Sequence, residues 1–248
     1  MSHSIDFTAN FYGDPALLPI GFQLLTSPPE QDFYLTYEHG GYILREGAKR
    51  FGELSIDFHE AYYRARGGTE YLPKALKGLK MMSVLDVTAG WGRDSWLLAY
   101  RGFQVTMVER NPYLGFLLQQ AVQTAQASNS IGTVAARLSF IATDALTYLN
   151  EYLAKRFDNL LWGAIYLDPM YPERKKQAMV KKPMQVLQAL LGEAGDGEDL
   201  LACARLAIAA GLCERVVVKR PQTAPHLSVD KPDYSIDAPN TRFDVYRN

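Results

Sequence analysis

The feature that most constrains the fold is a regular alternation of strand-like and helix-like segments that begins near residue 81. Five apolar runs are predicted to be parallel strands: residues 81–87, 103–109, 138–142, 162–167 and 215–219. Helical patterns lie at residues 93–101, 112–127, 145–155, 181–191 and 198–210, and an antiparallel pair is predicted at 234–238 and 242–246. Repeated β-α units with apolar strands form a doubly wound α/β sheet with helices on both faces. We therefore expect a seven-stranded, Rossmann-like sheet.

The first 80 residues have a different pattern, and we assign residues 1–80 to a small N-terminal α/β subdomain and residues 81–248 to the main domain. Short β-like runs are predicted at residues 33–37, 41–44 and 54–58, with glycine pairs between such segments. Arg64 and Arg66 follow two tyrosines in this region. Arginines beside aromatic residues suit contacts with an RNA backbone and its bases, although the solvated end of a helix has the same composition.

Composition limits the partners and the compartment. The net charge is −1, so a contact with nucleic acid must come from a local basic surface. Cys203 and Cys213 lie in an apolar helical pattern without a second pair, which indicates buried free thiols rather than a zinc site or disulfides. The four histidines show no metal-binding spacing, so no metal is expected. We find neither a signal peptide nor an apolar stretch of bilayer length and expect a soluble, cytoplasmic protein.

In a doubly wound sheet, ligands bind at the carboxyl ends of the strands. Gly90 and Gly92 follow the first strand and allow close approach of a ligand to the backbone, but Ser95 stands where a dinucleotide fingerprint has its third glycine. Glu109 ends the second strand 17 positions after Gly92. An acid at an offset of about 20 residues holds ribose hydroxyls in such folds. The loop alone leaves NAD and S-adenosylmethionine open as cofactors.

Two further strand ends carry polar pairs. Arg93 and Asp94 begin the helix after the glycine loop. The helix dipole favours an acid there and disfavours an arginine, so Arg93 is predicted to pair with a carboxylate ligand such as an amino-acid moiety. Thr143 and Asp144 follow the third strand and could bond an adenine, although Asp144 could equally cap the next helix.

The most specific feature is the sequence Asp168-Pro169-Met170-Tyr171 at the end of a buried strand. An exocyclic amino group is a poor nucleophile because its lone pair is delocalised into the ring. A carboxylate that accepts its N–H would localise that lone pair, and an aromatic ring would stack on the base and fix the attack geometry. We therefore predict Asp168 as the acceptor and Tyr171 as the stacking partner.

Basic residues follow this motif and end another predicted strand. Those after the motif are Arg174, Lys175, Lys176, Lys181 and Lys182. Those at the end of the strand predicted at 215–219 are Lys219 and Arg220. A solvated helix face explains many such runs. Because these residues adjoin the predicted site, contacts with RNA phosphates are the favoured interpretation.

These residues together resemble the ribosomal RNA small-subunit methyltransferase J family. The resemblance extends from about residue 50 to the end, and its stretches are residues 86–94, 109–112, 166–172, 180–182, 216–221 and 242–246. It implies a class I methyltransferase that uses S-adenosylmethionine and methylates N2 of a guanosine in 16S rRNA, with 16S rRNA or the small ribosomal subunit as partner. The positions that match the family's cofactor contacts are Arg93, Asp94, Glu109, Arg110, Thr143, Asp144 and Asp168.

Three other functions stay open on the sequence. A methyltransferase that acts on an amine of another RNA, of DNA or of a protein would use the same site. A nicotinamide-dependent oxidoreductase is disfavoured by the missing third glycine of the dinucleotide fingerprint. A non-catalytic RNA-binding protein is disfavoured because the loop acid, Glu109 and the Asp168 motif occur together.

Overall fold

The computed structural model describes residues 9–66, 71–155, 162–170, 182–191 and 197–247. The side chains of residues 63–66, 155, 182–184 and 191 lie outside that description. None of the helices among the described residues is long and apolar enough to cross a bilayer.

The N-terminal region forms a small mixed sheet. Its strands are β1 (Ala9–Phe11), β2 (Phe22–Leu24), β3 (Phe33–Glu38) and β4 (Gly41–Glu46), in the order β2-β1-β3-β4. The predicted runs at 33–37 and 41–44 are thus confirmed. The predicted run at 54–58 is not a strand, because Leu54 makes only an isolated antiparallel bridge to Leu44. Asp57 explains the difference, since its carboxylate accepts the N–H of His59 (2.8 Å) and starts a helix there.

Helices and strands alternate through the rest of the chain. The helices are α1 (Phe58–Arg66), α2 (Tyr71–Ala75), α3 (Arg93–Tyr100), α4 (Pro112–Gln126), α5 (Gly132–Ala135), α6 (Ala145–Lys155), α7 (Lys182–Leu191) and α8 (Gly197–Ala209). The strands are β5 (Ser83–Asp86), β6 (Gln104–Glu109), β7 (Leu138–Ala142), β8 (Trp162–Leu167), β9 (Cys213–Pro221), β10 (Tyr234–Asp237) and β11 (Thr241–Arg247).

These seven strands form one sheet in the order β10-β11-β9-β8-β5-β6-β7. The five strands from β5 to β9 are parallel, and β10 and β11 are antiparallel. The chain builds outward from β5 to β7 and then returns to place β8 on the other side of β5. The strand order therefore reverses between β5 and β8, which is where such sheets bind ligands. The predicted seven-stranded α/β fold is confirmed.

Side chains of the central strands alternate between two hydrophobic layers, as the period of a strand requires. Val84 and Tyr166 pack on the side that is covered by helices α1 to α5. Leu85 and Ile165 pack on the opposite side, against α6 and α8. Both faces of the sheet are thus covered, which explains the continuous apolar character of its strands.

The N-terminal sheet is attached to α4 and α7. Leu35 and Leu44 pack with Leu114 and Val186 in a third apolar cluster. Polar contacts fix the same junction, because the Tyr113 hydroxyl accepts the N–H of Asn10 and donates to the carbonyl of Phe33, both at 2.8 Å. By contrast, α1 and α2 also belong to the first 80 residues but pack into the core of the main sheet.

Candidate active site at the strand switch point

The loop between β5 and α3 lies at the switch point and depends on its glycines. Gly90 and Gly92 have φ values of 52° and 69°, which lie in the left-handed region. A Cβ at position 92 would also lie 2.7 Å from Leu118 Cδ2. The loop can therefore pack this closely on α4 only with glycine at position 92.

Backbone N–H groups of this loop are bound within the protein. Thr88 donates its N–H to Asp86 Oδ1 (3.1 Å), Gly90 to Glu109 Oε2 (3.0 Å) and Gly92 to the carbonyl of Ala89 (2.8 Å). A dinucleotide fold presents such groups to a pyrophosphate. Because these three groups already have partners within the protein, they are not open to a phosphate.

Glu109 supports the loop from the end of β6. It is buried, and its Oε1 accepts the N–H of Asn111 at 2.8 Å while Oε2 accepts that of Gly90. Burial raises the pKa of this carboxyl group, and the backbone bonds oppose the rise. Each carboxylate oxygen has a second lone pair, so Glu109 can accept ribose hydroxyls while it holds the loop.

Asp86 also ends a central strand, but its carboxylate is bound within the protein. It is 1% exposed, accepts the N–H of Thr88 and receives the Ser95 hydroxyl at 2.5 Å on Oδ2. Burial raises the pKa of Asp86 to about 7. This residue therefore joins β5 to the first turn of α3 and does not face a ligand directly.

The centre of the site is an ammonium group shared by two carboxylates. Lys219 Nζ lies 2.8 Å from Asp94 Oδ2 and 2.9 Å from Asp168 Oδ2. The Tyr166 hydroxyl donates to the same oxygen of Asp94 at 2.6 Å. Side chains from α3, β8, β9 and the turn after β8 meet at this point.

The charges in this cluster act on one another. Burial would lower the pKa of Lys219, but Asp168 and Asp94 outweigh it and raise that pKa. Burial would raise the pKa of Asp94, yet Lys219 and the Tyr166 hydroxyl lower it. For Asp168, burial and the nearby Asp94 raise the pKa despite Lys219. The protonation of each of these three groups therefore depends on the other two.

Asp168 is held by its backbone as well as by its side chain. Its N–H donates to Thr88 Oγ1 at 2.6 Å, which joins the ends of β5 and β8. Of its carboxylate oxygens, Oδ2 binds Lys219, whereas Oδ1 accepts no hydrogen bond from any residue in the described part of the chain. With its side chain 34% exposed, Asp168 can present Oδ1 to a bound molecule.

The third strand end is arranged around a helix cap. Asp144 Oδ1 accepts the N–H of Thr147 at 3.0 Å, and Oδ2 lies 3.4 Å from Arg110 Nη1. The capping role considered for Asp144 is therefore present. A contact of Thr143 or Asp144 with adenine stays a prediction. The pairing of Arg93 with a carboxylate ligand also stays a prediction, and this residue begins α3 and is exposed.

The predicted RNA-binding residues are described only in part. Lys219 lies within the site, and Arg220 is 4% exposed and donates to the carbonyl of Pro225 (3.2 Å). Neither side chain lies on the open surface, and a phosphate contact of either residue stays a prediction. Five of the predicted residues lie outside the described part of the chain: Tyr171, Arg174, Lys175, Lys176 and Lys181. For three more, the side chains are not described: Lys182, Arg64 and Arg66.

Comparison with known proteins shows which family the chain belongs to. A family described as a putative SAM-dependent methyltransferase matches residues 21–248. A protein of Hydrogenovibrio crunogenus named ribosomal RNA small subunit methyltransferase J is 41% identical over 79% of this chain and 70% of its own length. One of the same name from Neisseria meningitidis is 37% identical over 90% and 87%. The chain belongs to the ribosomal RNA small-subunit methyltransferase J family.

A solved structure agrees with this assignment. The crystal structure of a SAM-dependent methyltransferase from Neisseria gonorrhoeae is 30% identical, covers 97% of this chain and 96% of its own, and superposes with a TM-score of 0.76. The protein is therefore an S-adenosylmethionine-dependent methyltransferase with the class I fold of this family.

The residues of the site suit this cofactor. Four carboxyl groups lie around the loop, those of Asp86, Asp94, Glu109 and Asp168, and the ammonium of Lys219 is bonded to two of them. S-adenosylmethionine carries a sulfonium and an ammonium group, which carboxylates attract electrostatically. The described residues hold no cluster of His, Cys, Asp or Glu that could bind a metal ion.

Sequence reasoning missed three contributors to this methyltransferase site: Thr88, Tyr166 and the pairing of Lys219. Tyr166 lies near the end of β8, two positions before Asp168, and a spacing of two along extended chain directs side chains to the same side. Its involvement could therefore have been inferred. The pairing of Lys219 required knowing that β9 lies beside β8, which the local sequence does not show.

Proposed function

We propose that this methyltransferase transfers a methyl group to N2 of a guanosine in 16S rRNA of the small ribosomal subunit. The observation that carries the proposal is the carboxylate of Asp168, which is held by Lys219 through Oδ2 and has Oδ1 available at the switch point. The names of the curated relatives support small-subunit rRNA as the substrate. We place the reaction in the cytoplasm, where such a substrate is assembled.

The chain's residues act by positioning. When bound, S-adenosylmethionine supplies an electrophilic methyl group on its sulfonium. Asp168 Oδ1 accepts an N–H of the guanine amino group and thereby aims its lone pair. The amino group loses a proton as the N–C bond forms, and the raised pKa of Asp168 makes this carboxylate a better receiver for that proton than an exposed aspartate.

Further roles are proposed from the sequence. Tyr171, three positions after Asp168, stacks on the guanine ring. The basic residues 174–176 and 181–182 bind the RNA backbone beside the site. Arg93, Asp94, Glu109 and Arg110 hold the cofactor, with Glu109 on its ribose.

The proposal is tested in cells and with purified protein. Mass spectrometry of rRNA nucleosides should show that cells lacking the protein lose one 2-methylguanosine of 16S rRNA, and that the wild-type gene restores it. Asp168→Asn should lower the methylation rate by about a hundredfold or more with the fold kept, because a neutral amide can accept the N–H but cannot take up the amine proton. Asp237→Asn, an exposed acid on β10, is the matched control. Full 2-methylguanosine in the deleted cells would refute the assigned substrate.

A further inference from the structure

We infer that Lys219 is a positioning residue, whose ammonium group fixes Oδ2 of Asp168 so that Oδ1 faces the substrate amine. This inference rests on the proposed function, because it concerns the acceptor of the same reaction. It gives Lys219 a role inside the site and not on the RNA-binding surface.

The geometry of the ammonium group supports this role. Lys219 extends from β9, next to β8, and its Nζ lies within 2.9 Å of both Asp94 Oδ2 and Asp168 Oδ2. An ammonium group has three donors, and two of them are used by these carboxylates. Its side chain is 24% exposed, which leaves little of it for a phosphate.

The charges explain why a cation is needed at this position. Asp94 and Asp168 approach each other in a partly buried site, where two carboxylates repel strongly. Lys219 offsets that repulsion and stays protonated, because both acids raise its pKa. Without the ammonium, burial and Asp94 would favour protonation of Asp168, and a protonated carboxyl group cannot receive the amine proton. Asp168 would also be free to turn about its side-chain bonds.

The substitution Lys219→Met removes the charge and keeps most of the stem. The first measurement is the titration of the Asp168 carboxyl carbon by NMR in ¹³C-aspartate-labelled protein, with Asp168→Asn to assign the signal. We expect the midpoint to rise by about one pH unit or more in Lys219→Met. This measurement requires neither RNA nor turnover.

The second measurement is the methylation rate as a function of pH. In Lys219→Met, kcat at pH 7 should fall by about tenfold or more and the rise of activity should move to higher pH, while KM for RNA changes by less than about threefold. Lys219→Gln, which is neutral but polar, should behave in the same way and serves if the methionine variant does not fold. Lys80→Met, at an exposed position before β5, is the control and should match the wild type.

The outcomes separate the two proposals. An unchanged Asp168 titration in both neutral variants would overturn the role of Lys219, whatever the activity. A raised KM for RNA with unchanged kcat and pH profile would also overturn it and would make Lys219 an RNA contact. If the wild-type protein methylates no rRNA while the Asp168 titration shifts as expected, the proposed substrate fails and the pairing of Lys219 with Asp168 stands.

Discussion

Three aspartates lie close together at the switch point, and their environments give them different tasks. Asp86 is buried among hydrogen-bond donors, Asp94 accepts hydrogen bonds from a lysine and a tyrosine, and Asp168 binds the same lysine through one of its two oxygens. Residue type alone does not distinguish them. Burial and neighbouring charges do, because these determine which carboxyl group ionises readily.

The raised pKa of Asp86 predicts a pH dependence of stability. Burial raises this pKa to about 7, whereas an aspartate in the unfolded chain titrates near 3.9. Between these values the folded protein binds more protons than the unfolded chain, so this group makes the protein less stable as the pH rises. Asp86→Asn removes that effect. The free energy of unfolding of the wild type relative to this variant should fall by about 2 kcal/mol from pH 5 to pH 7.

Urea unfolding at both pH values measures the difference. Asp237→Asn, at an exposed position, should give a difference that does not change with pH. A constant difference for Asp86→Asn as well would show that Asp86 is ionised in the fold throughout this range, and the interpretation of its environment would be wrong.

At the scale of single elements, local patterns predicted most of the architecture. The predicted strands at 138–142 and 162–167 agree with β7 and β8, because apolar runs of this length between turns have few alternatives. The strand predicted at 54–58 was wrong. Asp57 caps a helix there through a single hydrogen bond, and this local contact outweighed the β-like composition. Local patterns do not predict the order of the strands in the sheet, since β8 and β9 pair across more than 40 residues of chain. Lys219 could therefore be located at a strand end, but not beside Asp168.

One hydroxyl group, that of Tyr113, makes two hydrogen bonds across the junction between the N-terminal sheet and α4. Tyr113→Phe leaves the N–H of Asn10 and the carbonyl of Phe33 without that partner, and should cost about 1–3 kcal/mol. Hydrogen exchange in β1 and β3 should become faster. Tyr42→Phe is the matched control, because its hydroxyl binds Leu17 (2.9 Å) within the N-terminal region. Equal effects of the two variants on exchange would contradict a specific role of Tyr113 in attachment.

On the scale of the whole molecule, the chain must bind an acidic substrate without an overall positive charge, because its net charge is −1. Around the glycine loop, the carboxyl groups are matched by cations, which are Lys219, Arg93, Arg110 and Arg220. The site itself therefore has no excess of positive charge to hold RNA. The phosphates must therefore be held by cations that stand outside the carboxylate cluster, and residues 174–176 follow Asp168 closely enough to do so.

Charge reversal at these positions tests this division of labour. Lys175→Glu with Lys176→Glu should raise KM for RNA about tenfold or more at moderate salt and leave kcat within about threefold, because phosphate contacts add affinity without touching the reacting atoms. The dependence of log KM on log salt should become shallower by about one for each phosphate that the variant no longer binds. Lys77→Glu with Lys80→Glu changes the charge equally just before the amino end of β5, whereas the site lies at the carboxyl ends of the strands, and it should leave both constants near those of the wild type. If both pairs raise KM alike, net charge and not a local surface governs RNA binding. If neither does, the cations after Asp168 belong to a solvated face, and the RNA must be held elsewhere on the molecule.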